Sequence, residues 1–432
     1  MFCAITSLFL ILILLCFRWY IIKPSIFVII FFHIQIQYAA TIYSGYIERY
    51  LNEPVEFLIL VHGFPLLGLF FSSFIAVNTT KKVWFRIVNN NIKIDYRIIF
   101  MLFSITIMIL FMYFSYIPFN QTGLYHIFID PSSSALAREM SLKLLDNQLI
   151  KYAYSLLMST FSPLLAVLIF LVIISKSNRK NIILNTFLIL IFIYSIFSVS
   201  LTGARSPVAE VILACLFAWF IRKKAPLNPL YIFIGVLLVL FVPITLSILR
   251  TGKSFSVDLF FQYMFGGIFN RLFIVPMETG LWHAHFVQNF GFFGVAGIPK
   301  LARLFDIEPI NVPNIIGLHY TNTTIESISA NTSFVFSYYS YFGLPSFLFS
   351  ILLLLLLDIA IIVYSKLSDK LLVPCVATVS VASWSFINSN YSTVLLTHGF
   401  LVLLIVCYVL DRISGVRLSI SVKRSGKNIL RV

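Results

Sequence analysis

Apolar residues run along this chain in long stretches, with polar residues gathered in short clusters between them. About twenty apolar residues of helix cross a bilayer, so each long stretch predicts a membrane helix. Eleven are predicted, over 2–17, 24–42, 56–77, 98–117, 152–175, 182–200, 206–221, 229–248, 344–364, 371–388 and 392–411. The expected fold class is an all-α polytopic membrane protein of 10 to 12 helices, forming one membrane domain over 1–432. No Lys or Arg precedes the first stretch and no small-residue cleavage site follows it, so it reads as a retained helix rather than a signal peptide. Two intervening segments stand apart. Residues 118–151 contain Leu136, Met140, Leu144 and Leu145 at helical spacing among charges, which predicts a short amphipathic helix over Ala135 to Lys151 lying on the outer membrane surface. Residues 249–343 form a long outer loop, amphipathic rather than plainly hydrophilic, and loops of that length are usually functional.

Composition agrees with this pattern. The chain is 60% hydrophobic and 11% charged, with a mean hydropathy of +0.97. A soluble domain carries about 25% charged residues, so a soluble enzyme, a disordered chain and a disulfide scaffold are all excluded. Cys3, Cys16, Cys215, Cys375 and Cys407 lie in apolar stretches and read as small core residues.

Charge sets the orientation. Alternate connections, including 78–97 and the tail 412–432, hold 21 of the 31 Lys and Arg. The positive-inside rule places that set in the cytoplasm, with the N-terminus outside and a basic tail inside. The net charge of +15 therefore serves orientation and attraction to anionic lipid, not nucleic-acid binding.

The sharpest local motif is Leu201-Thr202-Gly203-Ala204-Arg205-Ser206-Pro207, at the outer start of the seventh span. Ser followed by Pro is a helix start, and the positive end of the helix dipole then faces outward. Arg205 adds a planar fork suited to phosphate, with Glu210 one turn inward to hold it. The long loop adds Arg250 and Lys253, and then Arg271 in the apolar run Phe265 to Met277. A charge in such a run usually faces a cavity or a partner. His283 and His285 invite a metal reading, but no further ligand cluster accompanies them, and no metal or cofactor is expected. His319-Tyr320 leads into the hydroxyl- and amide-rich run Thr321 to Ser333, where His319 or Glu326 is suited to general-base work on a sugar hydroxyl. Asp358, inside the ninth span, is expected to pair internally. Asn388, Asn390 and Tyr391 line an outer turn. The chain has no P-loop, no GxSxG and no DxD in a loop, which argues against ATP-driven transport.

Thr202-Gly203-Ala204-Arg205-Ser206 is similar to the TGxRS of bacterial O-antigen polymerases (Wzy-type repeat-unit polymerases), and the long late loop resembles theirs. Arg271 through Pro276, Ile325 to Thr332 and Tyr341-Phe342-Gly343-Leu344 extend that likeness. The resemblance implies a metal-independent glycosyltransferase of lipopolysaccharide or surface-polysaccharide biosynthesis. It would act on undecaprenyl-pyrophosphate-linked oligosaccharide at the periplasmic face of the inner membrane, with a chain-length regulator as protein partner. It implies substrate contacts for Arg205 and Arg271; Ser206, Thr202, Gly203 and Arg250 join them as expected substrate-binding residues. One departure is plain: some members place Gly eleven positions after each outer-loop arginine, whereas Leu216 and Trp282 stand there in this chain. The competing readings are an O-antigen ligase, sharing the donor but transferring to lipid A–core, and a lipid-linked oligosaccharide flippase.

Overall fold

The computed structural model describes residues 18–42, 56, 59–89, 95–130, 133–145, 147–175, 182–204, 206–222, 241, 244–245, 248, 256–321 and 329–415. Among these residues all regular structure is helical. Six helices are long and apolar enough to cross a membrane: Tyr96–Phe114, Gln148–Ile173, Ile182–Ser200, Ser346–Lys366, Asp369–Ile387 and Tyr391–Ser414. A seventh candidate is the pair Ile59–Phe74 and Val77–Asn89, bent by 79° at its break. The protein is therefore an α-helical membrane protein. Helices Pro24–Ile42 and Ser206–Arg222 match further apolar stretches of the sequence. The stretch 2–17, most of 229–248 and the tail from 416 onward lie outside the described residues.

Caps and breaks account for the boundaries. The helix from Tyr96 begins two residues before its expected start because the Asp95 carboxylate accepts the Arg97 backbone N–H at 3.1 Å. The amphipathic helix expected over Ala135 to Lys151 is divided. It runs Ser134–Leu144, and the Asn147 side chain then caps the backbone N–H groups of Leu149 and Ile150, so Gln148 opens the next helix. The first part exposes Leu136, Met140 and Leu144, the face an interfacial helix presents to lipid. Likewise, the connection expected over 78–97 contains the helix Val77–Asn89, turned sharply from its predecessor.

That turn belongs to a buried polar knot that joins three helix ends. Asp358 sits at the break between Ser346–Leu356 and Ile359–Lys366. Its carboxylate pairs with Lys23 Nζ at 3.1 Å and accepts from Ser25 N, Ser25 Oγ and Ser72 Oγ. Lys23 also donates to the carbonyls of Ser72 and Ile75, beside the positive-φ residue Ala76. The expected internal pairing of Asp358 is thus present, with Lys23 as partner. Nearby, Gly68 lets two helices close: a Cβ there would lie 2.7 Å from Leu354 Cδ2.

Much of 249–343 is helical and part of the bundle. Helix Val257–Gln262 passes through a π-helical stretch, Tyr263–Ile274, into Val275–Phe290. Met277, Leu281, Ala284 and Val287 join the main apolar core. Gly280 meets the Phe336 ring so closely that a Cβ would stand 2.5 Å from it. Phe336 belongs to the short helix Phe334–Phe342, of which every residue from Phe334 to Tyr341 is buried. Three of its polar groups are held by partners from three other segments. Tyr339 donates to the Glu56 carboxylate, Asn390 donates to Tyr341 Oη at 3.1 Å, and Ser340 Oγ lies 3.2 Å from His283 Nδ1.

Candidate functional site

The TGARS turn and the segment 249–343 are built differently. At the turn, Gly203 takes φ +67, the left-handed region that glycine enters without strain. A Cβ on Gly203 would also press on the backbone of Gly123 at 3.0 Å. Thr202 is buried, and its Oγ1 accepts the Ala204 N–H at 3.2 Å. Leu124 N donates to the Leu201 carbonyl. Thr202 and Gly203 thus fix the backbone that presents the start of helix Ser206–Arg222, with Ser206 exposed at its first turn. Arg205 lies outside the described residues, as do Arg250 and Glu326. Leu201 packs in a satellite cluster with Tyr113, Tyr154 and Leu157, separate from the main core that holds the long segment's helices.

On the long segment, His283 and His285 have different jobs. His283 is fully buried, donating from Nε2 to the Ala330 carbonyl at 3.0 Å. Burial pushes it down to about 4, so it stays neutral and acts as a strut between helix and polar run. His285 points to the other side and hydrogen-bonds Tyr320 Oη through Nδ1. Asn289 Nδ2 lies 3.2 Å from its Nε2. An amide N–H can only donate, so Nε2 accepts and Nδ1 carries the proton. Burial, then the neighbouring His319, lower the affinity of His285 for a second proton. Tyr320 stacks on Trp282 at 5.5 Å between centroids, and His319 stands edge-on to Phe286 and Phe290. His319 is exposed. Together they form an aromatic platform flanked by two imidazoles, a surface suited to stacking against sugar rings. Among the described residues no group of three or more His, Cys, Asp or Glu could hold a metal ion.

Further back on the same helical run stand two unmatched charges. Arg271 is exposed and has no carboxylate partner among the described residues. Glu278 is half-buried and likewise has no hydrogen-bond or ion-pair partner among them. Burial raises its carboxyl above the ordinary carboxylate range. The two are seven residues apart, about 10 Å by helical rise, too far to neutralise each other directly. A carboxyl raised in this way holds a proton more readily than an ordinary carboxylate, which suits it to accept one. Glu278 and Asn289 escaped the sequence reading, and Trp282 and Tyr320 had no role in it; the seven-residue spacing from Arg271 was the one available pointer to Glu278. Arg271 itself, singled out as a charge in an apolar run, has no counter-charge among the described residues.

No known family profile, no curated protein and no solved structure matches this chain.

Proposed function

We propose that this protein polymerises undecaprenyl-pyrophosphate-linked oligosaccharide repeat units into O-antigen or a related surface polysaccharide, at the periplasmic face of the bacterial inner membrane. Eleven spans, an outer N-terminus and a cytoplasmic tail form the accompanying topology, supported by the 21 of 31 Lys and Arg in one alternating set of connections. The observation that carries the reading is the pairing, on one helical run, of an arginine and a carboxylate that have no partner among the described residues, followed by an aromatic platform.

The chemistry follows from their spacing. Arg271 holds the pyrophosphate through charge-assisted hydrogen bonds. Glu278 accepts the proton of the acceptor hydroxyl as its oxygen bonds to the donor's anomeric carbon. The anomeric C–O bond to pyrophosphate breaks, and its electron pair leaves with the pyrophosphate. Arginine and a helix N-terminus stabilise that developing charge without a metal, with Arg205 and Ser206 at the TGARS turn as the second anion-binding group. The Trp282–Tyr320 platform and His319 line the sugar path. Glu326 and His319 are the rival bases.

Deletion in the parent bacterium tests the reading: envelope glycolipid should carry a single repeat unit, because ligation proceeds without polymerisation. Loss of the first repeat, with lipid-linked donor accumulating, would identify a ligase instead. Complementation with Glu278→Gln, His319→Ala and Glu326→Gln separates the bases; only loss of the true base abolishes the polymer ladder.

A further inference from the structure

The π-helical stretch Tyr263–Ile274 is twelve residues long, whereas π geometry is rare and mostly confined to single-turn bulges at functional sites. In a π-helix the hydrogen bonds run from i to i+5, so residues four or five apart stack. Gly266 and Gly267 therefore lie one turn from Arg271 on the same face. That face is open among the described residues: none of their heavy atoms comes within 4 Å of a Cβ built on Gly266, and on Gly267 only Tyr263 does, at 3.6 Å. Phe261 and Phe265 border it, about half exposed. The opposite side is packed, with Met264 buried against Ile244 and Ile248. On the flank toward helix Pro24–Ile42, Gln35 Nε2 donates to the Leu272 carbonyl at 2.7 Å, which pins the stretch in place. Beside Arg271, the Asn270 Oδ1 atom is buried with no partner.

Two glycines in the middle of a helix destabilise it relative to alanine. An uncompensated arginine in an apolar run is a further cost. A ligand that is anionic at one end and apolar along its length accounts for both. We propose that the open face of Tyr263–Ile274 is the binding lane of a polyprenyl pyrophosphate: the diphosphate on Arg271, the isoprenoid chain across Gly266 and Gly267 between Phe261 and Phe265. The proposal rests on the polymerase reading for the headgroup and adds where the lipid tail lies. The lane runs away from Glu278 and the aromatic platform, so tail, diphosphate and sugars follow one helical run in that order.

Binding to the purified full chain in nanodiscs tests the lane with three probes: undecaprenyl pyrophosphate, inorganic pyrophosphate and undecaprenol. Undecaprenyl pyrophosphate should bind at least about tenfold more tightly than either of the others. Gly266→Leu, whose Cβ meets no described atom within 4 Å, should weaken undecaprenyl pyrophosphate roughly tenfold and leave inorganic pyrophosphate unchanged; Gly267→Leu should do the same. Arg271→Ala should weaken both anions by about ten- to hundredfold. A photoreactive p-benzoylphenylalanine in place of Phe265 should cross-link to the polyprenyl chain. Equal affinity for undecaprenyl and inorganic pyrophosphate, or full undecaprenyl pyrophosphate binding by both leucine variants, overturns the proposal. Binding as described in a chain whose deletion leaves polymer length unchanged keeps the lane and removes the polymerase reading. Polymer formation unaffected by both leucine variants keeps that reading and removes the lane.

Discussion

The Lys23–Asp358 knot permits a quantitative test of what holds the bundle together. Both side chains are no more than 1% exposed. Asp358 has four donors around it: Lys23 Nζ at 3.1 Å, Ser25 N at 3.2 Å, Ser25 Oγ at 2.8 Å and Ser72 Oγ at 3.2 Å. Lys23 has the Ile75 carbonyl at 2.7 Å and the Ser72 carbonyl besides. Deleting one partner of a buried pair leaves the other charge uncompensated and costs about 3–5 kcal/mol. Asp358→Ala and Lys23→Met should therefore each lose about that much, with Asp358→Asn losing less because the amide oxygen still accepts from the serines. Lys23→Met combined with Asp358→Leu removes both charges, so its loss should fall below the sum of the single losses by roughly 1–3 kcal/mol. Detergent-exchange unfolding of the purified chain, followed by circular dichroism at constant transition slope, gives these differences. Single variants within about 1 kcal/mol of wild type, or a strictly additive double variant, would refute the argument that the knot is a coupled, desolvated unit.

The remaining expectations concern the site and its scaffold. Because burial raises Glu278, its protonated form is the one the fold favours, and the fold loses part of its stability as pH rises from the ordinary carboxylate range through the raised value. Glu278→Gln should thus be at least as stable as wild type at neutral pH while losing most polymerising activity; unchanged activity would remove it as the base. The wild-type rate should climb with pH along a limb displaced above the ordinary carboxylate range, and a rate flat across that range would count against proton uptake by Glu278. Gly203→Ala forces a Cβ into φ +67 and should cost about 1–2 kcal/mol, measured in the same unfolding assay. Gly280→Leu drives a side chain into the Phe336 ring and should cost about 1–3 kcal/mol or more. Reporter fusions in 249–343 and after 412 should label from opposite sides of the membrane; labelling of both from outside would refute the topology.

The main helices were legible because a bilayer demands long apolar runs, and helices 24–42, 182–200 and 206–221 fall within a residue of their sequence limits. Bends were not: the apolar run resumes directly after Asp358, and the polar stretch after Val77 reads as a connection rather than as a turned helix. Partners at long range were equally hidden: Ser25 and Asp358 are 333 positions apart, and nothing local to Asp358 names its donors. The TGARS motif was visible, yet its Thr and Gly turn out to shape backbone against Gly123, a contact with no sequence trace. The π geometry around Arg271 escaped for a related reason. Helical reading assumes neighbours at three and four, whereas here they fall at four and five.

The short helix Phe334–Phe342 carries a consequence for how this protein can vary. An ordinary helix keeps an exposed face on which residues exchange at little cost. Phe334 through Tyr341 have no such face: all eight are buried, and the polar ones answer to Glu56, His283 and Asn390. Substitution there must be matched by change in a segment far away in sequence. Drift in the outer region is therefore channelled elsewhere, to exposed stretches such as Leu304 to Glu308. Related chains should hold these roughly two turns of packing as a unit, and differ around them.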